Sequence, residues 1–303
     1  MQTTEQAAPS LIDWLGAANG AVERLGGKAA SIDRLARLGL PVPPAFCVTT
    51  AAFRAHVTGG PPAAALAAAI RALPDEEARQ RLVALVLDLP FAAGLQHELE
   101  SALDRLRSER ADDGILDAQL AVRSSAVGED GAMSSYAGMH DTELGVKEAD
   151  VEGAIRRCWA SLWSERAVGY RQARGLPLDG EAMAVVVQAL VPADAAAVVF
   201  TRHPVTGRSD QVLVNAVRGF GEALVSGEVT PDSYLFDKSD RTLREKQLGG
   251  SDPAGEALSA AALQQLVELT LGIEAQFGAP VDVEAAFAAG RWYILQARPV
   301  TTR

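Results

Sequence analysis

The C-terminal segment VDVEAAFAAGRWYILQARPV, residues 281–300, alternates apolar and polar side chains on both sides of an Ala-Gly pair. Because side chains along a β-strand point alternately to its two faces, this period of two predicts an antiparallel hairpin. The expected apolar positions are Val281, Val283, Ala285, Phe287, Tyr293, Leu295 and Ala297. Placing all of them on one face requires an odd-length loop around Ala289 and Gly290.

The polar face of this hairpin carries Asp282 and Glu284 from the first strand, and Gln296 and Arg298 from the second. Hard oxygen ligands beside an arginine suit Mg²⁺ that bridges nucleotide phosphates. The alternative is the solvated polar face of an ordinary antiparallel sheet. The neighbouring β-rich lobe favours the functional interpretation, because it gives the polar face something other than solvent to contact.

The sequence pattern changes from mainly helical to mainly strand-like near residues 175–180, GLPLDG. The glycines and proline of this segment predict a linker. Before it, helical periodicity dominates residues 62–110, strands are expected at 118–123 and 141–146, and a helix is expected at 151–172. After it, residues 183–191, 196–201 and 211–217 predict closely spaced antiparallel strands, and a helix near 257–276 precedes the hairpin. We therefore expect an α+β (α/β) protein with an N-terminal lobe, 1–178, and a C-terminal β-rich lobe, 179–303.

Composition narrows the class of protein. The 303 residues hold 28 basic and 39 acidic side chains, a net charge of −11, which argues against non-specific nucleic-acid binding. No apolar stretch approaches the ~20 residues that span a bilayer, and the N-terminus lacks the pattern of a signal peptide. Cys47 and Cys158 are expected to be buried and unpaired. These features predict a soluble cytoplasmic protein that binds neither membrane nor nucleic acid.

Lys28 follows two glycines at the start of a predicted helix, within LGGKAASIDRLARLGLPVP. The segment is not a P-loop, because Val22 replaces the first glycine of that motif and Ala29 replaces its hydroxyl residue. A glycine turn that leads into a helix N-terminus with a lysine remains a possible phosphate site. Taken alone, the feature favours the other interpretation, a solvated helix start. Ile32, Leu35 and Leu38 mark the expected apolar face of the helix, which should end at Gly39.

Arg123 ends a predicted strand and precedes a polar loop, within AVRSSAVGEDGAMSSYAGMHDT, residues 121–142. The guanidinium offers a permanently charged fork for phosphate, and the loop offers backbone N–H groups. An ordinary surface loop is the alternative, with His140 as an exposed loop histidine.

Two further segments, FTRHPVTG (200–207) and VRGFGEALVSGEVTPDSY (217–234), follow strands. Residues 219–227 resemble a glycine-rich loop that packs close to a ligand, and Glu222 is a candidate acceptor for a ribose hydroxyl. His203, which precedes a proline, is expected to close a turn.

Six segments in this order resemble one family. They are GGKAASIDRLARLGLPVPPAFCVTTAAF, AVRSSAVGEDGAMSSYAGMHDT, CWASLWSERAVGYR, VVFTRHPVTG, GFGEALVSGEVTPDSY and WYILQARPVT. They are similar to the ATP-binding part of phosphoenolpyruvate synthase, pyruvate phosphate dikinase and rifampin phosphotransferase. The resemblance, which runs from about residue 13 to 303, implies an ATP-grasp fold that holds the nucleotide between two α+β lobes.

The resemblance also implies roles for individual residues. Lys28, Arg123 and Arg298 would act on the ATP phosphates, and Glu284 and Gln296 would be the Mg²⁺ ligands with Asp282 close by. Thr201 would contact phosphate or the loop, and Glu222 the ribose. Gln188, Leu190 and Val191 would read adenine, largely through backbone groups.

The implied function is a Mg-ATP-dependent phosphotransferase module that passes phosphate to a histidine on a separate carrier. The chain stops at Arg303, and His56, His97, His140 and His203 lie outside any phosphohistidine context, so this module is expected to need a partner protein. Two alternatives stay open. One is a stand-alone kinase or ligase that acts on a small molecule such as an antibiotic or secondary metabolite, and the other is a non-catalytic nucleotide-binding subunit.

Overall fold

A computed structural model describes residues 10–59, 63–115, 117–127, 142–179, 182–222, 224, 227–250 and 255–300. Their contacts divide them between two compact units. The first takes the described residues of Met1–Arg34 and Pro44–Leu190, and the second those of Leu35–Pro43 and Val191–Arg303. The sequence places the change of lobe at 178/179, whereas these contacts place the change of unit after Leu190.

The first unit is built on a five-stranded antiparallel sheet in the order β1-β2-β5-β3-β4. Its strands are β1 (Ile12–Trp14), β2 (Ala45–Val48), β3 (Leu120–Ala126), β4 (Thr142–Val146) and β5 (Met183–Ala189). Every residue of β2, β3 and β5 is buried. Strands buried on both faces read as continuous apolar runs, and β5, MAVVVQA, has that composition.

The helices of this unit are α1 (Val22–Arg37), α2 (Thr50–Thr58), α3 (Ala63–Ala72), α4 (Glu76–Asp88), α5 (Ala93–Asp112), α6 (Val151–Ala160) and α7 (Glu165–Arg174). Helix α6 contacts β3, β4 and β5. The helical stretch expected at 62–110 is thus three helices. Cys47 and Cys158 are buried free cysteines, as expected.

The single helix expected at 151–172 is wrong, because the chain breaks between α6 and α7. A 3₁₀ turn, Ser161–Trp163, follows α6. Ser164 then caps α7, with extended backbone and a hydroxyl that accepts from the N–H of Ala167. A serine in this position satisfies an otherwise unpaired helix donor, so a new helix starts there.

The second unit is built on a six-stranded antiparallel sheet in the order β11-β10-β6-β7-β8-β9. Its strands are β6 (Ala195–Phe200), β7 (Gln211–Arg218), β8 (Asp232–Asp237), β9 (Leu243–Gln247), β10 (Val281–Ala288) and β11 (Arg291–Pro299). Helix α8 (Ala260–Phe277) covers one face. Its Leu263, Leu266 and Val267 share a buried core with Val199 of β6 and Val283 of β10.

The single sheet expected from residues 183–217 is wrong. Strand β5 pairs with β2 and β3 in the first unit, whereas β6 and β7 pair with each other in the second. Close spacing along the chain indicates strands but not their partners, which are chosen by long-range pairing. Leu38 was likewise expected to be buried, but it is 41% exposed because α1 ends at Arg37.

The hairpin β10–β11 closes differently from the expectation. Ala288 pairs with Arg291, so the loop is the even, two-residue Ala289–Gly290 turn with positive φ at both positions. A β-bulge supplies the odd residue instead: Glu284 pairs with Gln296 and Ala285 with Ile294, so Leu295 is the extra residue of the bulge.

The bulge also changes which aromatic and aliphatic residues of β11 face the core. Trp292 and Ile294 join the core beneath α8, as does Ala297 beyond the bulge. The prediction that Tyr293 and Leu295 face the core is therefore wrong. Of the three positions predicted on β11, only Ala297 was placed correctly.

Within the described parts of the chain, no single helix is both long and apolar enough to cross a membrane. The bent pair α4–α5 meets the length and composition test only when both helices are taken together.

The helices of the first unit enclose a buried histidine, His56, among aromatic rings. Its ring centroid lies 5.5 Å from that of Phe91 and 4.8 Å from that of Trp159, and its Nε2 lies 3.5 Å from the carbonyl oxygen of Val86. Burial lowers the pKa of His56; the Val86 carbonyl opposes this shift and the charge of Arg156 adds to it.

We predict that His56 makes the unfolding free energy depend on pH. Because its pKa is lowered in the folded state, protons bind preferentially to the unfolded chain as the pH falls below about 6.5. Stability is therefore full above that pH and is lost toward the lower folded pKa. Urea unfolding from pH 8 to 5 should show a smaller loss for His56→Gln than for wild type. The exposed His97→Gln should behave as wild type, and equal losses in all three proteins would contradict the prediction.

Candidate functional site

The glycine turn before Lys28 brings α1 against the C-terminal end of β3. Gly26 has φ 72° and ψ 170°, a backbone conformation that is essentially restricted to glycine. A Cβ there would lie 2.0 Å from the carbonyl oxygen of Ser125. The Ser125 hydroxyl donates to the carbonyl of Leu25 at 2.8 Å and accepts from the N–H of Ala29 at 3.0 Å. Helix α1 is thus fixed to β3 on both sides of the kink.

Lys28 is buried at this contact, with 6% of its surface exposed. Its Nζ donates to the carbonyl oxygen of Ser124 at 2.8 Å. The solvated helix start that the glycine turn alone allows is therefore excluded. The ammonium group instead lies beside β3, one residue from Arg123.

Arg123 and Gln188 lie on the face of the sheet that meets α1. Opposed residues of an antiparallel pair share a face, and the register pairs Arg123 with Val186 and Gln188 with Ala121. Ser125, two residues from Arg123, shares that face and contacts α1. Both Arg123 and Gln188 are buried. The first unit thus gathers Lys28, Arg123 and Gln188 around one face of β3 and β5.

The same face holds Cys47 of β2, which pairs with Val186. Its Sγ lies 3.7 Å from the carbonyl oxygen of Leu25. Burial raises the pKa of the Cys47 thiol, so this side chain stays neutral and adds no negative charge to this face.

Leu190 and Val191 follow β5 at the change of unit. Both are buried, and the N–H of Leu190 donates to the carbonyl of Gln119 at 3.1 Å. By contact, Leu190 belongs to the first unit and Val191 to the second. Their segment is therefore the covalent connection that leads from β5 into β6.

The second unit carries the polar face of the hairpin as expected. The register sets Asp282 opposite Arg298 and Glu284 opposite Gln296. The Nε and Nη2 atoms of Arg298 donate to Oδ2 of Asp282 at 2.9 and 2.8 Å. These four side chains lie on the face opposite α8, since the intervening Val283 and Ala297 belong to the core beneath that helix.

Glu284 and Gln296 form a donor set that fits Mg²⁺. Directly opposed residues hold their Cβ atoms about 5 Å apart, so a carboxylate oxygen and an amide oxygen can reach one cation. Magnesium is bound by oxygen ligands, often one or two from protein with the rest from water and phosphates. Among the described residues no group of three or more His, Cys, Asp or Glu side chains surrounds a common point.

Thr201 at the end of β6 is fully buried. Its hydroxyl accepts from the N–H of Val281 at 2.8 Å, and its own N–H donates to the Val281 carbonyl at 2.9 Å. These bonds secure the start of β10 to β6. Thr201 therefore has a clear structural role in setting the hairpin's position.

Glu222 is exposed and follows Gly221 in the turn after β7. A Cβ at Gly221 would lie 3.1 Å from the Cβ of Ala196. Ala196 pairs with Ala286, two residues from Glu284 on the same strand face. The glycine segment thus approaches the polar face of the sheet, and Glu222 lies at its margin.

His203 closes a turn, as expected. Its Nδ1 accepts from the N–H groups of Val205 and Thr206, both at 3.2 Å, and its carbonyl accepts from the N–H of Gly207 at 2.9 Å. Most of the polar loop after Arg123, including His140, lies outside the described residues.

The sequence argument missed Ser125. A pair of hydroxyl residues inside a fully buried strand, Ser124-Ser125, is the signal that could have revealed it. Buried hydroxyls require hydrogen-bond partners, and Ser125 finds them in the backbone of α1.

Residues 22–303 match the family described as the pyruvate phosphate dikinase AMP/ATP-binding domain. The chain belongs to this family. Its membership and its two units with antiparallel sheets confirm the predicted α+β, ATP-grasp class of fold. All six segments quoted for the resemblance lie within the matched residues.

Three relatives show the range of this family. The chain is 38% identical to a prodigiosin synthesizing transferase of Serratia marcescens, over 92% of this chain and 32% of that protein. It is 32% identical to a probable phosphoenolpyruvate synthase of Methanocaldococcus jannaschii, over 100% of this chain and 28% of that protein. It is 38% identical to a rifampicin phosphotransferase of Streptomyces sviceus, over 92% and 34%. The chain spans about a third of the length of these relatives.

We predict that Gly26→Ala lowers the free energy of unfolding of the protein more than Gly39→Ala does. Both glycines have positive φ, 72° and 73°, but a Cβ at Gly39 would meet nothing within 4 Å. Gly39→Ala should therefore cost only the conformational strain, about 1 kcal/mol. Gly26→Ala adds a clash with the Ser125 carbonyl, and a total of about 3 kcal/mol or more is expected.

Chemical denaturation of the two variants measures this difference. Equal losses of unfolding free energy would contradict the close approach of α1 to β3.

Proposed function

We propose that this chain is a Mg-ATP-dependent phosphotransferase module, which passes phosphate from ATP to a histidine on a separate carrier protein or domain. One observation carries the proposal. The register of β10 and β11 sets an oxygen donor pair, Glu284 and Gln296, beside an oriented arginine, Arg298, on the sheet face that α8 leaves uncovered.

In the first unit, Lys28 and Arg123 supply positive charge for the phosphates. Their burial favours this role, because cations with little water around them interact strongly with an anionic ligand. Arg123 offers a planar fork for two phosphate oxygens, and Lys28 offers a point charge. Gln188 lies on the same face, and we assign adenine recognition to it together with the backbone of Leu190 and Val191.

In the second unit, Arg298 acts on the phosphates and Asp282 holds it. Two donors of the guanidinium point to one carboxylate oxygen of Asp282. This pairing fixes the plane of the guanidinium before the nucleotide arrives, which reduces the entropy lost on binding. Asp282 therefore lies next to the nucleotide and orients its arginine. Glu222 is assigned to a ribose hydroxyl, and Thr201 to the support of this region.

Glu284 and Gln296 would hold Mg²⁺. An ion held there would supply positive charge that offsets the negative charge of the phosphates. The protein groups then contribute positioning and electrostatic stabilisation, with little covalent chemistry of their own.

A second candidate acceptor is a small molecule. The rifampicin phosphotransferase of Streptomyces sviceus and the prodigiosin synthesizing transferase of Serratia marcescens, named above, favour an acceptor from specialised metabolism. A non-catalytic nucleotide-binding subunit is the third candidate. It is disfavoured because Lys28, Arg123, Glu284 and Arg298 are all present and placed on the two faces described above.

The nucleotide product separates these candidates. Chromatography after incubation with Mg-ATP should show AMP only when a histidine-carrier protein is added. ADP that forms with a small acceptor alone would favour the direct kinase. Binding of Mg-ATP without either product, across carriers and acceptors, would favour the non-catalytic subunit.

We predict that Lys28→Ala and Glu284→Ala each abolish Mg-ATP-dependent turnover, with a loss of at least about 100-fold, as found when a group that stabilises developing charge is removed. Both variants should stay folded by circular dichroism. A matched control is Lys246→Ala, because Lys246 lies on the edge strand β9, paired with Glu256. Turnover near the wild-type rate in both site variants would rule out these assignments.

A further inference from the structure

Strands β7 and β8 carry a polar pair that the roles assigned so far do not use. The Ser233 hydroxyl donates to Oδ1 of Asn215 at 2.8 Å. The register sets the two residues directly opposite each other. Their neighbours Val214 and Tyr234 belong to the core beneath α8, so Asn215 and Ser233 lie on the opposite face.

That face is the one that carries Glu284. A single row of opposed residues crosses the sheet, from Gln296 and Glu284 through Val198 to Asn215 and Ser233. Asn215 is therefore two strands from Glu284, about 10 Å away at the backbone. A metal–ligand bond of about 2.1 Å, a phosphate group and an N–H···O bond of about 2.9 Å together span such a gap.

The hydrogen bond with Ser233 also orients the Asn215 amide. Because Oδ1 accepts from the hydroxyl, the Nδ2 group remains as a pair of donors. Among the described residues, Ser233 is the one hydrogen-bond partner of this side chain. Asn215 is only half-buried, so its Nδ2 is available to a ligand above the sheet.

Apart from Ser233, the side chains next to Asn215 on this face are apolar. The neighbouring row runs through Phe200, Leu213 and Leu235, all half-buried, and reaches charged residues only at Asp282 on β10 and Glu245 on β9. A simple cross-strand Asn–Ser pair is worth only about 0.2 to 1 kcal/mol. The Asn215 amide lies among apolar neighbours, and its donors point away from the sheet. A role in binding an anionic ligand explains this arrangement better than a contribution to the stability of the sheet.

We propose that Asn215 is a further nucleotide-binding residue, whose Nδ2 donates to a phosphate oxygen of Mg-ATP. Ser233 is its positioning residue. This inference rests on the proposed function, since it assigns Asn215 to the same nucleotide site as Glu284. All residues that carry it belong to the second unit.

The test compares Asn215→Asp with Gln247→Glu. Asn215→Asp keeps the shape and the bond from Ser233, but replaces the donors with a negative charge that repels phosphate. Gln247 ends the same row on β9, opposite Ser233, and is exposed, so Gln247→Glu makes the same chemical change two strands farther from Glu284 than Asn215 is. Calorimetry measures the Kd of Mg-ATP, and competition against Mg-ATP measures the Kd of adenosine, which has no phosphate.

Asn215→Asp should weaken Mg-ATP binding by about tenfold or more, while adenosine binding and thermal unfolding stay near the wild-type values. Ser233→Ala should weaken Mg-ATP binding by a smaller factor, again without an effect on adenosine. Gln247→Glu should bind both ligands as wild type does.

Two results would overturn the inference, and they are distinguishable from failure of the proposed function. If wild type binds Mg-ATP and Glu284→Ala does not, but Asn215→Asp binds as wild type, Asn215 is outside the site. Equal losses for Mg-ATP and adenosine in Asn215→Asp would mean a structural role. If wild type itself does not bind Mg-ATP, the proposed function fails, and this inference fails with it.

Discussion

The register between β10 and β11 decides which side chains the second unit can present to a ligand. With the two-residue Ala289–Gly290 turn alone, Glu284 would face Leu295 across the strands. The bulge at Leu295 shifts the pairing by one residue, so that Glu284 faces Gln296 instead. One extra residue thus converts a mixed hairpin face into a carboxylate–amide pair with an oriented arginine beside it. Bulges near functional sites commonly re-aim side chains in this manner.

In the first unit, the close contact of Gly26 with the backbone of β3 positions the charged residues. The missing Cβ of Gly26 lets α1 reach the backbone of β3, and the Ser125 hydroxyl holds it there. Lys28 is then carried to the Ser124 carbonyl, beside Arg123. In both units, therefore, backbone geometry that only a few residues permit positions the charged groups. The charged residues themselves are ordinary in type, and their value comes from where the backbone places them.

Much of this could be predicted from sequence. Period two in residues 281–298 predicted the hairpin and its polar face, because alternation is a local property. The bulge left no local signal, and so Tyr293 and Leu295 were misplaced. The partners of β5 depend on contacts far along the chain, which strand propensity does not encode. The break before α7 had a readable signal in Ser164, a preferred N-cap residue, whereas the polar pair Asn215–Ser233 becomes visible only once four strands are in register.

We propose that Glu284 binds the magnesium ion of Mg-ATP. The most direct measurement is the Kd of ATP with saturating Mg²⁺ and with a chelator, in wild type and in Glu284→Gln. If Mg²⁺ tightens ATP binding by contacting Glu284, then removing the carboxylate must remove that tightening. We predict that Mg²⁺ tightens ATP binding in wild type and that most of this gain disappears in Glu284→Gln. An equal gain in both proteins would contradict it.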